Sequence, residues 1–453
     1  MVRDGGGALS GVGEDEIPWE GPSDEDFEAL GFDTAFGASP GSPGGGLGDN
    51  DDTPPGGIYV GEDVQILDAA TIGRALAEVE GRSLAPDLPD LDRLQSGLIG
   101  IDVGASVAVV ARFDDNGRHE IVPNEHDERL TPVQIFFDDD GEKLVGSEAR
   151  QMAPSAPHRA VINLKQALAD PNFTFEPDSE HELSAEEIVG LFLKQLVANA
   201  RESGEISHMA LAAPAWFSDR ERQALARAAE GLEGMELVGI TDECLASAAT
   251  YSLRLPDLKP RTALVFDLGH AALGVGIVRC ASGDIEVLAQ KANRGLGSSA
   301  WDALLYNEAA RKFEEVHGID PRADPAAELD LWQRAEGAKK ALSQRPQCTL
   351  VASAEGKSLK IGFTRRGFEN AARGLLDASL ELLREVREAS GLASWEDVDA
   401  LLMTGGGCKT PAIRRAVARE VGRTAERGTG MEEGVAVGTL YWGIAERYRK
   451  SRT

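Results

Sequence analysis

Two aspartates, Asp102 and Asp267, each end an apolar run and are followed two positions later by a glycine, in IGIDVGASV and LVFDLGHAA. A carboxylate at the end of a strand can hold Mg²⁺ through water. Gly104 and Gly269 would let a phosphate approach the backbone closely. One Asp-x-Gly is weak evidence, because Asp and Gly populate most turns. Two of them in matched apolar contexts predict a duplicated strand–turn–strand unit that grips phosphate.

The elements around these turns predict an α/β fold. From Gly97 the sequence alternates apolar strand runs with helical patterns, an order typical of sheets packed against helices. A helix is expected over 185–203, because Ser184 can cap it and glutamates fill its first turn. Long helices are expected within 300–345 and 365–391. The two matched units lie about 165 residues apart, so they predict two similar lobes whose hairpins face each other across a cleft.

The charge of the chain argues against two kinds of partner. The 453 residues carry a formal charge of −30, from 76 acidic and 46 basic side chains. Nucleic-acid backbones and anionic membranes both attract clustered Lys and Arg, so neither is expected as a partner. No apolar run approaches the length of a membrane span, and the start lacks an apolar signal segment. Four dispersed cysteines suggest neither a zinc site nor a disulfide scaffold. The sequence predicts a soluble protein of a reducing cytoplasm.

Residues 1–96 form a separate region, rich in Gly, Pro and acidic side chains. It contains 21 acidic residues, four arginines and no lysine, and so holds more than half of the net charge. Such a composition buries too little apolar surface to offset the entropy of ordering, which predicts a disordered acidic tail. The simplest role is solvation. The alternative is a partner-binding segment, since DEDFEALGF and ILDAATIGRALAEVEG contain apolar side chains that can fold on binding.

A series of motifs follows in one order along the chain. The series runs IGIDVGASV, NEHDERLTPVQIFF, LVGSEAR, VINLKQAL, LAAPAWFSDRERQA, ITDECLASAAT, FDLGHAAL, NRGLGSSAWD, RAEGAKKALS and MTGGGCKTP. Over about residues 98–440 it resembles the ATPase domain of the 70-kilodalton heat-shock chaperone (DnaK-type) family, within the actin-like ATPase superfamily. The resemblance implies a two-lobed fold in which duplicated ribonuclease-H-like lobes enclose a nucleotide cleft. It predicts lobe I over 97–258 and lobe II over 259–453, with a C-terminal helix returning to lobe I.

The resemblance also assigns roles to individual residues. It implies ATP or ADP with Mg²⁺ as the ligands, and it places Asp102 and Asp267 where they would hold the metal through water. Lys165 falls at the family's catalytic lysine, and Glu243 at the glutamate that positions the attacking water. With the two aspartates they form the expected catalytic set. The positions expected to bind nucleotide are Gly104, Ala105, Ser106, Gly269, His270, Gly297, Ser298, Glu336, Lys339, Lys340, Ser343, Gly405, Gly406, Gly407 and Lys409.

Residue spacing alone supports these assignments less strongly than the family resemblance does. Glu336, Lys339, Lys340 and Ser343 recur at intervals of three and four, so they share one helix face. A solvated charged face has the same spacing, and Lys165 alone reads equally well as a surface lysine. The run TGGGCK lies between a strand and a helix, where nucleotides are often held, but a flexible turn has the same composition. Within the resemblance the helix face surrounds the base and ribose.

The sequence departs from the family pattern mainly at the phosphate loops. Ala105 stands where the family has a threonine, and His270, Ala271 and Ala272 replace two glycines and a threonine. Losing one positioned group at a developing charge costs about 2.7–4 kcal/mol, or roughly 10²–10³ in rate. The departures therefore predict that nucleotide binds while hydrolysis is weak or absent. Further departures are Asp242, Cys244, Leu245, Gly274, Ser298, Ser299 and Lys409.

Three functions fit these observations. The first is an ATP-binding chaperone-like protein of the heat-shock-70 type with slow ATP hydrolysis. It is expected to lack the peptide-binding domain, since the sequence ends at Thr453. The second is a nucleotide-dependent regulatory or scaffold pseudo-ATPase, in which ATP closes the cleft and changes a surface. The third and least favoured is a small-molecule kinase of the same superfamily. Protein partners are expected to bind the tail or the lobe surfaces.

Overall fold

The computed structural model describes residues 16–19, 91–177, 181–252, 259–281, 284–426 and 430–451. Contacts divide the chain into two compact units. Unit 1 combines the strand Glu16–Trp19 with Trp301–Arg373. Unit 2 holds the described parts of Thr34–Ala300 and Gly374–Thr453. The lobe boundary predicted after residue 258 falls inside unit 2, and the division into lobes stays a prediction.

Two hairpins of the same topology lie in unit 2. The first hairpin pairs Leu98–Val103 antiparallel with Val107–Phe113, and the second pairs Arg261–Leu268 antiparallel with Leu273–Ala281. In each hairpin the leading strand also pairs in parallel with a strand from later in the chain. These parallel partners are His208–Ala213 for the first hairpin and Ala400–Thr404 for the second. The two matched strand–turn–strand units predicted from the sequence are therefore confirmed.

Larger sheets are built outward from these hairpins. The first sheet has the order Glu236–Asp242, His208–Ala213, Leu98–Val103, Val107–Phe113 and His119–Val122, with Thr131–Pro132 also paired to Val107–Phe113. The second has the order Asp284–Asn293, Leu273–Ala281, Arg261–Leu268 and Ala400–Thr404. Smaller sheets join Lys143–Val145, Ile135–Phe137 and Ala160–Val161, and join Thr174–Phe175 with Leu183–Ser184. With the helices between them, these sheets confirm the predicted α/β class.

Helix starts follow the capping signals in the sequence. The Ser184 hydroxyl accepts the Glu187 N–H at 3.3 Å, and the Glu187 carboxylate accepts the Ser184 N–H at 2.8 Å. This reciprocal pair is a capping box, and it starts the predicted helix at Ala185. None of the helices in the described ranges is long and apolar enough to cross a membrane. The α-helices are Leu91–Gln95, Ser147–Met152, Leu164–Ala169, Ala185–Arg201, Asp219–Glu230, Glu243–Ser252, Ser298–His317, Pro325–Gln344, Arg365–Ala371, Arg373–Ala389, Pro411–Val421 and Gly434–Ser451.

The helix Gly434–Ser451, called the C-terminal helix below, packs closely on the first hairpin and on a neighbouring helix. A Cβ added at Gly100 would lie 2.3 Å from the backbone nitrogen of Leu440. A Cβ added at Gly438 would lie 1.8 Å from the carbonyl oxygen of Ala246, which belongs to the helix that starts at Glu243. Only glycine allows backbones to approach so closely. The two glycines therefore fix the position of the helix that carries Glu243.

Unit 1 contains a three-stranded sheet and a buried aromatic cluster. Its strands are Glu16–Trp19, Lys357–Thr364 and Gln347–Ala354, in that order. Trp301 and Phe368 are 1% exposed, and their rings meet edge to face with centroids 5.8 Å apart. Aromatic pairs of this kind add to the stability gained from burial.

Two described elements fall within the range predicted as an acidic tail. They are the strand Glu16–Trp19, called the tail strand below, and the helix Leu91–Gln95. The remaining positions of residues 1–90 lie outside the described residues. The two segments considered for partner binding, DEDFEALGF and ILDAATIGRALAEVEG, are among them.

Candidate functional site

Four charged side chains of unit 2 form a group that we call the charge cluster: Asp102, Lys165, Glu243 and Asp267. Lys165 Nζ lies 2.8 Å from Glu243 Oε1, and Lys165 is only 7% exposed. The charges of Lys165 and Glu243 shift the pKa values of both aspartates, and the charges of the aspartates shift the pKa of Lys165. The structure therefore brings together the four residues predicted as the catalytic set, and Lys165 is not a surface lysine.

Each member of the charge cluster lies near the end of a regular element. Asp102 is the penultimate residue of the leading strand of the first hairpin, and Asp267 has the same place in the second. Glu243 is the first residue of the helix held by the C-terminal helix. Lys165 lies in the first turn of Leu164–Ala169, which Asn163 caps by accepting the Gln166 N–H at 3.2 Å. Backbone geometry rather than loop conformation thus positions all four groups.

The charge cluster shifts the pKa values of its members. Burial, together with the negative charge of Glu243, raises the pKa of Asp102 to about 7 and that of Asp267 to about 8, although both side chains keep some exposure. Burial opposes the charged form of Lys165, but the charges of Glu243 and Asp102 outweigh it and raise the pKa of Lys165. The lysine therefore stays cationic at neutral pH, while the aspartates titrate near neutrality. A cation at the cluster would favour their ionised form.

These shifts predict a pH-dependent effect of Asp102→Asn on stability. A carboxyl whose pKa rises on folding contributes stability at low pH that is lost as pH climbs from its ordinary value of 3.8 to about 7. The asparagine variant cannot ionise and escapes that loss. We expect its free energy of unfolding, relative to the unsubstituted protein, to increase between pH 4 and pH 7. Urea unfolding without nucleotide measures this. A difference in free energy of unfolding between the two proteins that does not change with pH would contradict a raised pKa of the buried Asp102 carboxyl.

The turns of the two hairpins have similar constraints. The Gly104 N–H donates to the Val107 carbonyl at 3.0 Å, and a Cβ on Gly104 would come 2.4 Å from that oxygen. In the second hairpin a Cβ on Gly269 would come 3.4 Å from the Ala272 carbonyl. Ala105, at the position of the family threonine, is 9% exposed. The first turn therefore requires its glycine, while the second has more room.

The second turn is attached to the start of the helix Ser298–His317. The Ser298 N–H donates to the Gly269 carbonyl at 2.8 Å, and the Ser299 N–H donates to the His270 carbonyl at 3.0 Å. A Cβ on Gly297 would lie 2.4 Å from the His270 carbonyl oxygen. Amides at a helix N-terminus are common phosphate donors, but these two are engaged by the turn. Apart from the departures already noted at these positions, no pattern in the sequence indicates this attachment.

The glycine turn of MTGGGCKTP lies beside Asp267. Gly405 has a positive φ of 80°, and a Cβ there would come 2.3 Å from the Leu268 carbonyl oxygen and 2.7 Å from Asp267 Oδ1. A Cβ on Gly406 would come 2.9 Å from Glu432. Glu432 also pairs with Lys409, the residue at the family's arginine position. The predicted nucleotide-binding turn is therefore adjacent to the charge cluster, and Gly407 packs behind it against Leu268.

The four predicted adenosine residues lie on the helix Pro325–Gln344 of unit 1. Lys339 Nζ lies 2.7 Å from the fully buried Asp302, and Lys340 Nζ lies 2.7 Å from Glu336. The Ser343 hydroxyl donates to the Lys339 carbonyl at 3.1 Å. Glu336 is 6% exposed and Lys339 is 7% exposed, so the alternative of a solvated helix face fails for both. It holds for Lys340, which is exposed.

Asp302 is a buried charged residue that the sequence reasoning missed. Burial raises its pKa to about 6, against the opposing effect of Lys339. A buried lysine needs an acidic partner, and Asp302 is the last residue of the motif NRGLGSSAWD. That requirement was a usable signal, but it becomes visible only once Lys339 is known to be buried.

The departures beside Glu243 form a buried, paired site. The Cys244 N–H donates to Asp242 Oδ1 at 2.8 Å, and Arg222 Nη2 lies 3.5 Å from Asp242 Oδ2. A Cβ added at Gly276 would come 2.3 Å from the Cys244 sulfur. The thiol therefore packs directly against the second hairpin, and burial raises its pKa well above the ordinary value. All four cysteines are free thiols.

The cluster meets one condition for holding a cation through water. Asp102 Oδ1 is buried, and among the described residues it has no hydrogen-bond partner. An unsatisfied buried carboxylate oxygen is costly and fits a site that a water or cation completes. Within the described ranges, no three His, Cys, Asp or Glu side chains form a metal-binding group by themselves. A Mg²⁺ ion at this site would therefore need ligands from water or from a bound phosphate.

Comparison with known proteins identifies the family of the chain. The family model described as "Hsp70 protein" matches residues 98–444, so the chain belongs to the Hsp70 family. The Chaperone protein DnaK of Thermotoga neapolitana is 30% identical over 350 residues, which cover 75% of this chain and 58% of that protein. The DnaK proteins of Thermotoga petrophila and Thermotoga maritima match with the same identity and coverage. The chain thus matches little more than half the length of these relatives.

Proposed function

We propose that this protein binds ATP and ADP with Mg²⁺ and acts as a chaperone-like protein of the heat-shock-70 type, with slow ATP hydrolysis. The observation that carries the proposal is the charge cluster. It gathers two aspartates at the ends of the leading strands of the matched hairpins, together with a buried lysine and a glutamate that come from two helices. Such a set can bind a metal–phosphate group and orient a water. Membership of the Hsp70 family supports the same ligand.

The proposed roles follow from the positions of the groups. Asp102 and Asp267 would hold Mg²⁺ through water, and Lys165 would balance phosphate charge. Glu243, 2.8 Å from Lys165, would orient the attacking water. The turn at Gly405 would approach the nucleotide, because it lies against Asp267. Glu336, Lys339, Lys340 and Ser343 would bind the base and ribose.

Calorimetric titration with ATP and Mg²⁺ tests the binding. We expect one site per chain, and we expect Asp267→Asn to weaken binding at least about tenfold, since it removes a charge that would face the metal. Asp140→Asn is the matched control, because it removes an exposed carboxylate from a turn outside the charge cluster. Absence of heat and of competition by ADP in the unsubstituted protein would refute the proposal.

A second candidate is a pseudo-ATPase in which nucleotide regulates a surface without turnover. The attachment of the second turn to Ser298 and Ser299 favours it, because those amides already have acceptors. Ala105 and Ala272 add no hydroxyl to either turn. Single-turnover hydrolysis of γ-labelled ATP distinguishes the two candidates. Measurable hydrolysis that Glu243→Gln abolishes supports the slow ATPase, and hydrolysis absent from both proteins supports the pseudo-ATPase.

Protein partners and a cytoplasmic location also belong to the proposal. The family relatives are named as chaperones, and a chaperone acts on other proteins. Binding through the tail or through the surfaces of the ATPase domain is the route proposed for this chain.

A further inference from the structure

The tail strand is an added strand on a sheet edge of unit 1. Glu16–Trp19 pairs in parallel with Lys357–Thr364, called the edge strand below, whose other side pairs antiparallel with Gln347–Ala354. Between the two neighbours lie more than 300 positions of sequence, so no turn enforces their contact. Without the tail strand, the edge strand would present unpaired N–H and C=O groups, which other strands readily join.

The register pairs residues of complementary type at three of its four positions. Glu16 is in register with Lys360, Ile17 with Ile361, Pro18 with Gly362 and Trp19 with Phe363. By residue type, an acidic position thus pairs with a basic one, and the isoleucine and tryptophan positions pair with apolar ones. Opposite charges and apolar pairs across strands stabilise a sheet, whereas like charges oppose it.

The alternating burial of the edge strand favours one register for a strand that pairs with it. Ile361 and Phe363 are at most 1% exposed, while Lys360 is exposed. Its alternation separates a buried face from a more exposed face that carries Lys360, which fixes the register, because a shift of one residue would exchange the two faces. Proline is tolerated at position 18 because the tail strand is itself at the edge of the sheet.

We propose that the outer edge of Lys357–Thr364 is a peptide-docking edge and that its occupant in this chain is Glu16–Trp19. An extended peptide with the same acidic–aliphatic–proline–aromatic pattern is the class of ligand that this edge accepts by strand addition. This site involves none of the residues assigned to the nucleotide, so it stands independently of the proposed function.

Hydrogen exchange of the full chain tests the docking. In a β-strand successive amides face opposite neighbours. Ile17→Pro removes an N–H from the tail strand only, and should speed exchange of every second amide of the edge strand roughly tenfold or more by opening that edge. The alternate amides, which face Gln347–Ala354, should stay protected and serve as an internal control. Equal exchange in the two proteins would overturn the proposal.

A charge exchange tests the register. Lys360→Glu places like charges opposite each other and should release the tail strand, giving the same faster exchange. Lys357→Glu is the matched control, since it lies on the same strand but outside the paired positions. Combining Glu16→Lys with Lys360→Glu should restore protection. The register would be overturned if Lys360→Glu and Lys357→Glu changed amide exchange equally. It would also be overturned if the double variant did not restore protection of the edge-strand amides.

A peptide in trans tests the ligand class. A labelled peptide covering residues 12–23 should bind the Ile17→Pro chain at least about tenfold more tightly than the unsubstituted chain, whose own strand competes at high effective concentration. A peptide of scrambled sequence should bind neither. Binding of the scrambled peptide would overturn the proposal. Exchange protection that rises with protein concentration would mean that a second copy supplies the strand, which would overturn the intramolecular assignment.

Discussion

Lys165→Met is expected to lower the free energy of unfolding by about 3–5 kcal/mol at pH 8, because it leaves buried carboxylates without their cation. Lys165 is 2.8 Å from Glu243, and its charge also favours the ionised forms of Asp102 and Asp267. At pH 5 the loss should be smaller. The pKa values of the two aspartates are about 7 and 8, so both are already protonated there.

Urea unfolding of the nucleotide-free protein at both pH values measures this difference. Lys194→Met is the control, because Lys194 is exposed on the helix Ala185–Arg201. It should change stability by no more than about 0.5 kcal/mol at either pH. A loss for Lys165→Met that is as large at pH 5 as at pH 8 would mean that the aspartates are not coupled to the lysine.

Gly438→Ala is expected to lower the free energy of unfolding by about 1–3 kcal/mol or more, through overpacking against a backbone atom. The added carbon would lie 1.8 Å from the Ala246 carbonyl oxygen, so the C-terminal helix and the helix that starts at Glu243 must separate. Because Glu243 begins the displaced helix, its distance to Lys165 should change. We therefore expect weaker binding of ATP with Mg²⁺ as well as lower stability.

Gly337→Ala is the matched control, and it should raise stability where Gly438→Ala lowers it. Gly337 is also within a helix, but a Cβ there would meet nothing within 4 Å. Replacing it should raise helix stability by about 0.5–1 kcal/mol, because alanine loses less backbone entropy. Thermal unfolding of both variants gives the comparison. Equal stability of Gly438→Ala and the unsubstituted protein would contradict the close approach of the two helices.

The local parts of the fold were predictable from the sequence. The matched hairpins followed from two Asp-x-Gly turns in apolar contexts, and the helix after Ser184 followed from its capping residues. These features depend on neighbours within a few positions, so the sequence pattern contains most of the information. The gathering of Asp102, Lys165, Glu243 and Asp267 was reached only through the family resemblance, because no spacing rule brings four distant positions together.

The rest depends on contacts between distant positions. The burial of Lys339 against Asp302 could not be read from a helix face that suits water equally well. The attachment of Ser298 to Gly269 is a backbone contact, and side-chain patterns do not report such contacts. The tail strand lies in a region whose composition is dominated by Gly, Pro and acids. The average composition of that region does not predict that four of its residues pair with a sheet edge.

The close contact between Gly100 and Leu440 has a consequence for how the protein is made. The two residues are 340 positions apart, yet Gly100 allows Leu440 of the C-terminal helix to approach the first hairpin. At roughly 5–20 residues per second, a ribosome needs about 20 to 70 seconds to synthesise the intervening chain. During that time the face of the first hairpin next to Gly100 has no covering helix, and the helix of Glu243, once synthesised, has no neighbour at Ala246 until Gly438 follows. The nascent chain therefore exposes the apolar face of the first hairpin, with Leu98, Val109 and Ala111, until Gly434–Ser451 has been synthesised.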